Sequence, residues 1–341
     1  MRWQSQTLGV DDGAFPGLDR AGLVRSVRTP EFDGITFHEV LCKSALNKMP
    51  ESSAMPFRWT INPMRGCSHA CRYCFARGSH EYLELDAGRD FDSQIVVKTN
   101  VVEVLRRELA RPSWKRETVA LGTNTDPYQR AEGRYALMPG IISALGESGT
   151  PFSILTKGPL LRRDLSLLTD VAASGVGVSV AVSIAILDVA LHRRIEPGTP
   201  TPAARLALVR SLADAGFDVH VMIAPIIPLL TDSDAHLEAI IAEVAAAGAS
   251  TAMAFAMHLR GPTRGWFLNW LAAEEPKLVP RYRELYVRGG YVTPAYRDWL
   301  RTKVTPLLDH HGLRSSRSIG PPPAAVEAPD PTVAPQLTLF G

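Results

Sequence analysis

Gly66-Cys67-Ser68-His69-Ala70-Cys71-Arg72-Tyr73-Cys74-Phe75 holds three of the chain's four cysteines within eight residues. Three thiolates on one loop can hold three irons of a cubane iron–sulfur cluster. Such a cluster ordinarily takes four cysteines, so the remaining iron stays open to a substrate or cofactor. Two other readings stay open at this point: a structural zinc site completed by His69 or His80, and three unrelated buried thiols. Zinc ligands usually come as C-x2-C pairs on two separate turns, and chance clustering rarely leaves the rest of a chain nearly cysteine-free, which favours the cluster. Cys42 is the only thiol outside the segment. That scarcity leaves no ligands for a second cluster, argues against a disulfide framework and fits a reducing compartment, so the expected location is the cytoplasm.

A chain of 341 residues, 45% hydrophobic, can bury one large α/β core. Its formal net charge of +2 does not by itself announce a nucleic-acid binder. Basic pairs do occur, at Arg106-Arg107, Lys115-Arg116, Arg162-Arg163 and Arg193-Arg194, with Arg281, Arg283 and Arg288 further on. They could line a phosphate track or form ordinary solvated helix faces. The first twenty residues are polar, and no apolar run approaches the length that spans a bilayer, so neither a secretion signal nor a membrane anchor is expected.

From residue 58 onward, short β-branched runs alternate with longer helical patterns, which predicts a parallel sheet built from βα units. The strand candidates are 58–62, 118–122, 152–156, 177–183, 218–224 and 251–257. Helices are expected over 202–216, where apolar residues recur three and four apart and Gly216 closes the run, and over 232–248. The expected organisation is an N-terminal extension (1–57), a barrel-like unit (58–258), a C-terminal helical region (259–313) and an extended, disordered proline-rich tail (314–341). In a barrel of this kind, chemistry is sought just after the strands, at their carboxyl ends.

The C-x3-C-x2-C spacing, with Tyr73 just before the last cysteine, resembles the signature of radical S-adenosylmethionine (SAM) enzymes. Residues Lys43 to Asn47, Asn62-Pro63 and Arg65-Gly66 extend the resemblance, which covers roughly 37–257 and is nearest to the branch related to spore photoproduct lyase. It implies an α/β fold, a partial (β/α)6 TIM-like barrel. It also implies a single [4Fe-4S] cluster on Cys67, Cys71 and Cys74. S-adenosyl-L-methionine would chelate the unique iron through its amino and carboxylate groups and be cleaved reductively to a 5'-deoxyadenosyl radical. The electron would come from a donor such as flavodoxin or ferredoxin, and Tyr73 would sit near the adenine.

The loop after the second strand, Gly122-Thr-Asn-Thr-Asp-Pro-Tyr-Gln129, is rich in donors and acceptors at the expected mouth, although it also reads as an Asx turn opening the next helix. The resemblance assigns Asn124, Thr125 and Asp126 to the cofactor's amino group. Lys157 closes the third strand, where a lysine either meets an anion or snorkels to the surface. Leu155-Thr-Lys157 followed by Arg162-Arg-Asp164 resembles a segment of the lyase-like proteins in which the lysine contacts the cofactor. Ser183 lies near the mouth on the fourth strand. Beyond it, Arg205 is a candidate for the cofactor carboxylate and Glu196 for the ribose hydroxyls, with a helix-surface arginine as the plain alternative. The two prolines of Ala224-Pro-Ile-Ile-Pro228 are expected to end strand pairing and present an apolar ledge for adenine.

One departure bears on the reaction. Spore photoproduct lyases carry a hydrogen-donating cysteine near the end of the second strand, where this chain has Thr123-Asn124-Thr125, so Tyr128 or Tyr73 becomes the candidate relay. Finally, Gln336-Leu337-Thr338-Leu339-Phe340 restores large apolar groups after the tail and resembles the pentapeptide that binds the bacterial sliding clamp. A tail folded back on its own barrel is the alternative. The leading expectation is a radical SAM enzyme acting on nucleic acid, repair-like. The rivals are radical modification of a peptide or small metabolite, and a zinc-stabilised adaptor without catalysis.

Overall fold

A computed structural model describes residues 17–18, 21–51, 53, 55 and 57–313. The proline-rich tail and its docking pentapeptide lie outside the described residues.

The six expected βα strands form one sheet. They are β4 (Trp59–Ile61), β7 (Val119–Leu121), β8 (Phe152–Thr156), β9 (Val178–Ser183), β10 (Val219–Ile226) and β11 (Thr251–Ala256), hydrogen-bonded in parallel in that order. A short seventh strand, β3 (Leu46–Lys48), pairs antiparallel with β4 at one edge. The strand cores are continuous apolar runs, as a sheet covered by crossover helices requires. Ile61, Val119, Leu121, Ile154, Val180, Val182, Val219 and Val221 are all essentially inaccessible.

The crossover helices end where their glycines permit. Helix Pro202–Asp214 is capped at Thr201, whose hydroxyl accepts from the Ala204 N–H. It stops at Gly216, which takes the left-handed conformation at φ +88° while the Phe217 N–H returns to the Leu212 carbonyl. Pro225 does not end strand β10. The strand runs on to Ile226, and Pro225 falls at a register shift against β11, where the ladder asks nothing of its missing N–H.

A second sheet accompanies the first. Strands β1 (Leu23–Arg28), β2 (Thr36–Val40), β6 (Gln94–Lys98) and β5 (Met64–Arg65) form it in that order, so segments far apart in the chain build one small layer. Helix Val101–Leu109 follows β6, and its Glu108 holds the entry to β3: the buried carboxylate accepts from the N–H groups of Ala45 and Leu46 and from the Ser44 hydroxyl. The C-terminal helices divide their duties. Helices Pro262–Glu274 and Val279–Leu285 pack Phe267, Leu271 and Tyr282 into a second core with Cys71, Tyr73, Ile186, Ile195 and Met257, over the carboxyl ends of the strands. Helix Pro294–His310 lies against β11 and helix Asp234–Ala246.

Candidate active site

The segment linking β5 to the first crossover carries the cysteines. Gly66 enters it at φ +80°, and a Cβ there would stand 2.9 Å from the His80 ring and 3.0 Å from Ile95 and the Phe91 carbonyl. The Cys67 N–H then bonds the Phe91 carbonyl, Arg72 N–H bonds the Ile195 carbonyl and Gly198 N–H bonds the His69 carbonyl. Gly198 approaches so closely that a Cβ would fall 2.0 Å from the Ser68 carbonyl oxygen, so only glycine fits.

Two polar side chains that the sequence did not single out hold this loop. Gln129, fully buried, accepts from the Ser68 N–H and donates to the Gly66 carbonyl, which also accepts from the Thr125 hydroxyl at 2.7 Å. Arg77, also fully buried, donates to the carbonyls of Cys71 (3.0 Å) and Gly88 (2.7 Å) and to both oxygens of Asp92 (2.9 and 3.0 Å). Its guanidinium lies over the rings of Trp266 and Phe91.

All three cysteines line one cavity with about 930 Å³ of empty space, part of it open to solvent. Tyr73, Asn124, Thr125, Asp126, Lys157 and Ser183 line it too, as do Ala224 and Pro225 of the expected ledge. Asp126 is committed to the protein: it accepts from the Thr156 hydroxyl, the Lys157 N–H and the Tyr128 N–H, and its carboxylate lies 3.4 Å from His69 Nδ1. Burial by itself would raise its pKa, but the His69 charge and these hydrogen bonds outweigh it and hold the carboxyl below its usual range. Asn124 stays exposed at the mouth, its N–H held by Asn62.

Lys157 Nζ donates to Ser183 Oγ (2.8 Å), Glu196 Oε1 (3.1 Å) and the Tyr73 hydroxyl (3.2 Å). Glu196 has no exposure. It accepts a hydrogen bond from Tyr73 and pairs with Arg205, which also reaches the carbonyls of Ser183 and Pro200. Burial opposes ionisation of Glu196, yet Arg205 and Lys157 together depress its pKa far below the usual range. Neither Glu196 nor Arg205 is among the residues lining the cavity. The buried arginine and glutamate pair with each other, and Glu196 in turn bonds Lys157 and Tyr73. Tyr128 stands elsewhere than its loop suggested. It is 2% exposed, bonded to Asp164 at 3.1 Å and not among the cavity-lining residues, with burial pushing its phenol well above the ordinary value.

The donor set fits a cluster. Burial pushes all three thiols up, and at Cys67 the nearby Asp126 charge pushes the same way, so thiolates here need a cation to be stable. Cys42 sits apart, against the main core and bonded through its backbone to Asn100, which leaves three thiols at the cavity and a cubane with one open iron.

The family model of the Radical SAM superfamily matches residues 61–242, just over half of the chain. The chain belongs to the radical SAM superfamily. With that membership come a [4Fe-4S] cluster and S-adenosylmethionine as cofactors. Cys67, Cys71 and Cys74 are the residues present to hold the former. An uncharacterized protein of Mycobacterium tuberculosis is 62% identical over the full length of both chains. One from Acidianus two-tailed virus is 29% identical over 60% of this chain and 68% of its own. Among solved structures, spore photoproduct lyase complexed with dinucleoside spore photoproduct superposes with a TM-score of 0.59 at 16% identity, covering 81% of this chain and 79% of that one. A double mutant of the same lyase with bound AdoMet and that dinucleoside gives 0.58 at 15%, over 76% of each chain. These likenesses establish the fold. Among the described residues, no helix is long and apolar enough to cross a membrane.

Proposed function

We propose that this protein is a radical SAM enzyme that acts on nucleic acid in a repair-like, lyase-type reaction in the cytoplasm. The observation that carries the reading is one cavity lined by three thiols, Tyr73, Lys157 and Ser183, within a spore photoproduct lyase-like fold. When bound, the cluster and S-adenosylmethionine supply a 5'-deoxyadenosyl radical for hydrogen abstraction. The protein's own residues hold and shield that chemistry. Gln129, Thr125 and Arg77 fix the cysteine loop, and Lys157, positioned by Glu196 and Ser183, presents a cation at the wall to a carboxylate. Residues 123–125, in the loop after the second barrel strand, offer no thiol for returning a hydrogen atom, and Tyr73 is a phenol that lines the cavity.

The test is isotopic. Anaerobically reconstituted protein with a chemical reductant is given deuterated nucleic acid from cells, and 5'-deoxyadenosine is examined by mass spectrometry. Deuterium in that product supports the reading. Label arriving instead from a deuterated peptide or metabolite fraction overturns the nucleic-acid part and leaves the radical chemistry.

We further propose that residues 336–340 dock the bacterial sliding clamp, with Gln336, Leu337, Leu339 and Phe340 as anchors. Burying Leu339 and Phe340 contributes roughly 3–6 kcal/mol before ordering costs, enough for a weak to moderate complex. A peptide of residues 335–341 should bind purified clamp, and replacing Leu339 and Phe340 by Ala should abolish binding. Failure of both the peptide and the full chain at high micromolar clamp removes the link.

A further inference from the structure

Aromatic side chains cluster at the cavity mouth, and no role assigned so far uses them. His258 is their centre. Its ring lies 6.2 Å from Phe255 at an interplanar angle of 18°, 6.1 Å from Phe75 and 5.8 Å from Tyr291. Arg260 continues the row, its guanidinium 5.7 Å from the Tyr291 ring centre. These rings are not a core: Phe75 is 55% exposed, Phe255 37% and Tyr291 48%. Three large aromatic rings, each held against His258 yet left open to water, lose part of what burial would give them, unless something flat covers them. Phe75 follows Cys74 directly, and Phe75, Phe255 and His258 line the same cavity as the three thiols. A group resting on the rings is therefore delivered to the reacting end of the cavity.

We propose that this aromatic shelf is a stacking platform for an unpaired base of the substrate strand, with Arg260 meeting the adjoining phosphate. The proposal rests on the nucleic-acid reading above and names the part of the strand that the site engages. Every nucleobase offers a π-face, so a row of rings beside a cation accepts single-stranded nucleic acid without reading its sequence. Burial lowers the pKa of His258, and the Arg260 charge acts in the same direction, which keeps its ring neutral for stacking. A peptide added as a further strand is the less suited occupant. Phe255 lies on the edge strand β11, but at Ala252 the outward N–H of that strand is already taken by the Leu313 carbonyl.

The experiment uses the full chain, reconstituted anaerobically, and a short fluorescein-labelled oligothymidylate followed by fluorescence anisotropy. Tyr291→Ala and Phe255→Ala should each weaken binding roughly 5- to 100-fold, while Tyr291→Trp restores it. The ratio between wild type and variant should persist as salt is raised, because stacking releases no counterions. Tyr291 is half exposed, so its truncation hollows no core, and S-adenosylmethionine affinity should be unchanged in Tyr291→Ala. Wild-type binding with no loss in either variant overturns the shelf and leaves the nucleic-acid reading standing. No binding of the strand by the wild type overturns both. A loss of S-adenosylmethionine affinity in Phe255→Ala with strand binding intact assigns the rings to the cofactor's adenine and overturns the proposal. Displacement of the strand by an aromatic peptide assigns them to a peptide substrate and does the same.

Discussion

Replacing Arg77 by Ala removes the side chain that ties the cysteine loop to the rest of the fold. The guanidinium bonds both oxygens of Asp92 and the carbonyls of Gly88 and Cys71, and is sealed under Trp266. Its loss leaves a carboxylate with a side chain only 17% exposed and two inward carbonyls without their partner. Breaking a buried pair on one side costs about 3–5 kcal/mol, a large fraction of the roughly 5–15 kcal/mol that holds a domain together. The assay is denaturant unfolding under anaerobic conditions, paired with iron content per chain at a temperature where the variant is still folded. Both should fall, because the Cys71 carbonyl loses its anchor. Arg77→Lys keeps the charge without the fork and should recover only part.

A double variant, Arg77→Met with Asp92→Leu, should be more stable than Arg77→Ala, since no charge is left stranded. The deficit also has a pH signature. Burial already raises Asp92 to about 6 with Arg77 in place, and without it the pKa climbs further. Between those two values the folded variant holds a proton that the folded wild type has released, so the deficit grows as pH rises from about 6 toward the higher value and levels off at its smallest below about 6. Arg77→Ala within about 1 kcal/mol of wild type, or a double variant as damaged as the single one, would refute the clamp.

Three further outcomes follow from the site and its surroundings. Cys67→Ala, Cys71→Ala or Cys74→Ala should each abolish S-adenosylmethionine cleavage and lower iron from about four per chain, whereas Cys42→Ala keeps both; stoichiometric zinc without iron in the anaerobic wild type would contradict the cluster. Lys157→Ala should weaken S-adenosylmethionine binding about 10- to 100-fold in calorimetry while iron is retained, and Asp126→Ala, which frees His69 and the Lys157 backbone, should lower affinity as well; unchanged affinity in both leaves the two residues a structural role only. Lys98 is pushed down from 10.5 to about 8, chiefly by burial and next by Arg65. Its folded state resists the proton that the unfolded chain accepts, so Lys98→Met should add about 2–3 kcal/mol near pH 7, an advantage fading between about 8 and 10.5. An equal gain at pH 7 and pH 10.5 in unfolding titrations would show that packing, not charge, is responsible.

Local sequence determined what local physics can encode. Alternating β-branched and helical runs specify six parallel strands because each period reports burial within its own segment. The spacing of Cys67, Cys71 and Cys74 specifies a three-thiol loop because metal chemistry acts on neighbouring residues. Asn124, Thr125, Asp126, Lys157 and Ser183 reach the cavity because strand ends point there in any barrel of this kind. Tertiary structure alone decided the rest. The four-stranded sheet joins segments 23–40, 64–65 and 94–98, a pairing across distances that no short pattern records. Arg205 and Glu196 pair with each other rather than opening onto the cavity, and Arg77, an unremarked basic residue in sequence, closes over the cysteine loop, because a buried charge is satisfied by whichever partner the fold brings within reach. The aromatic mouth is likewise assembled from Phe75, Phe255, His258 and Tyr291, residues whose contact exists only once β11 and the C-terminal helices are laid beside the cysteine loop.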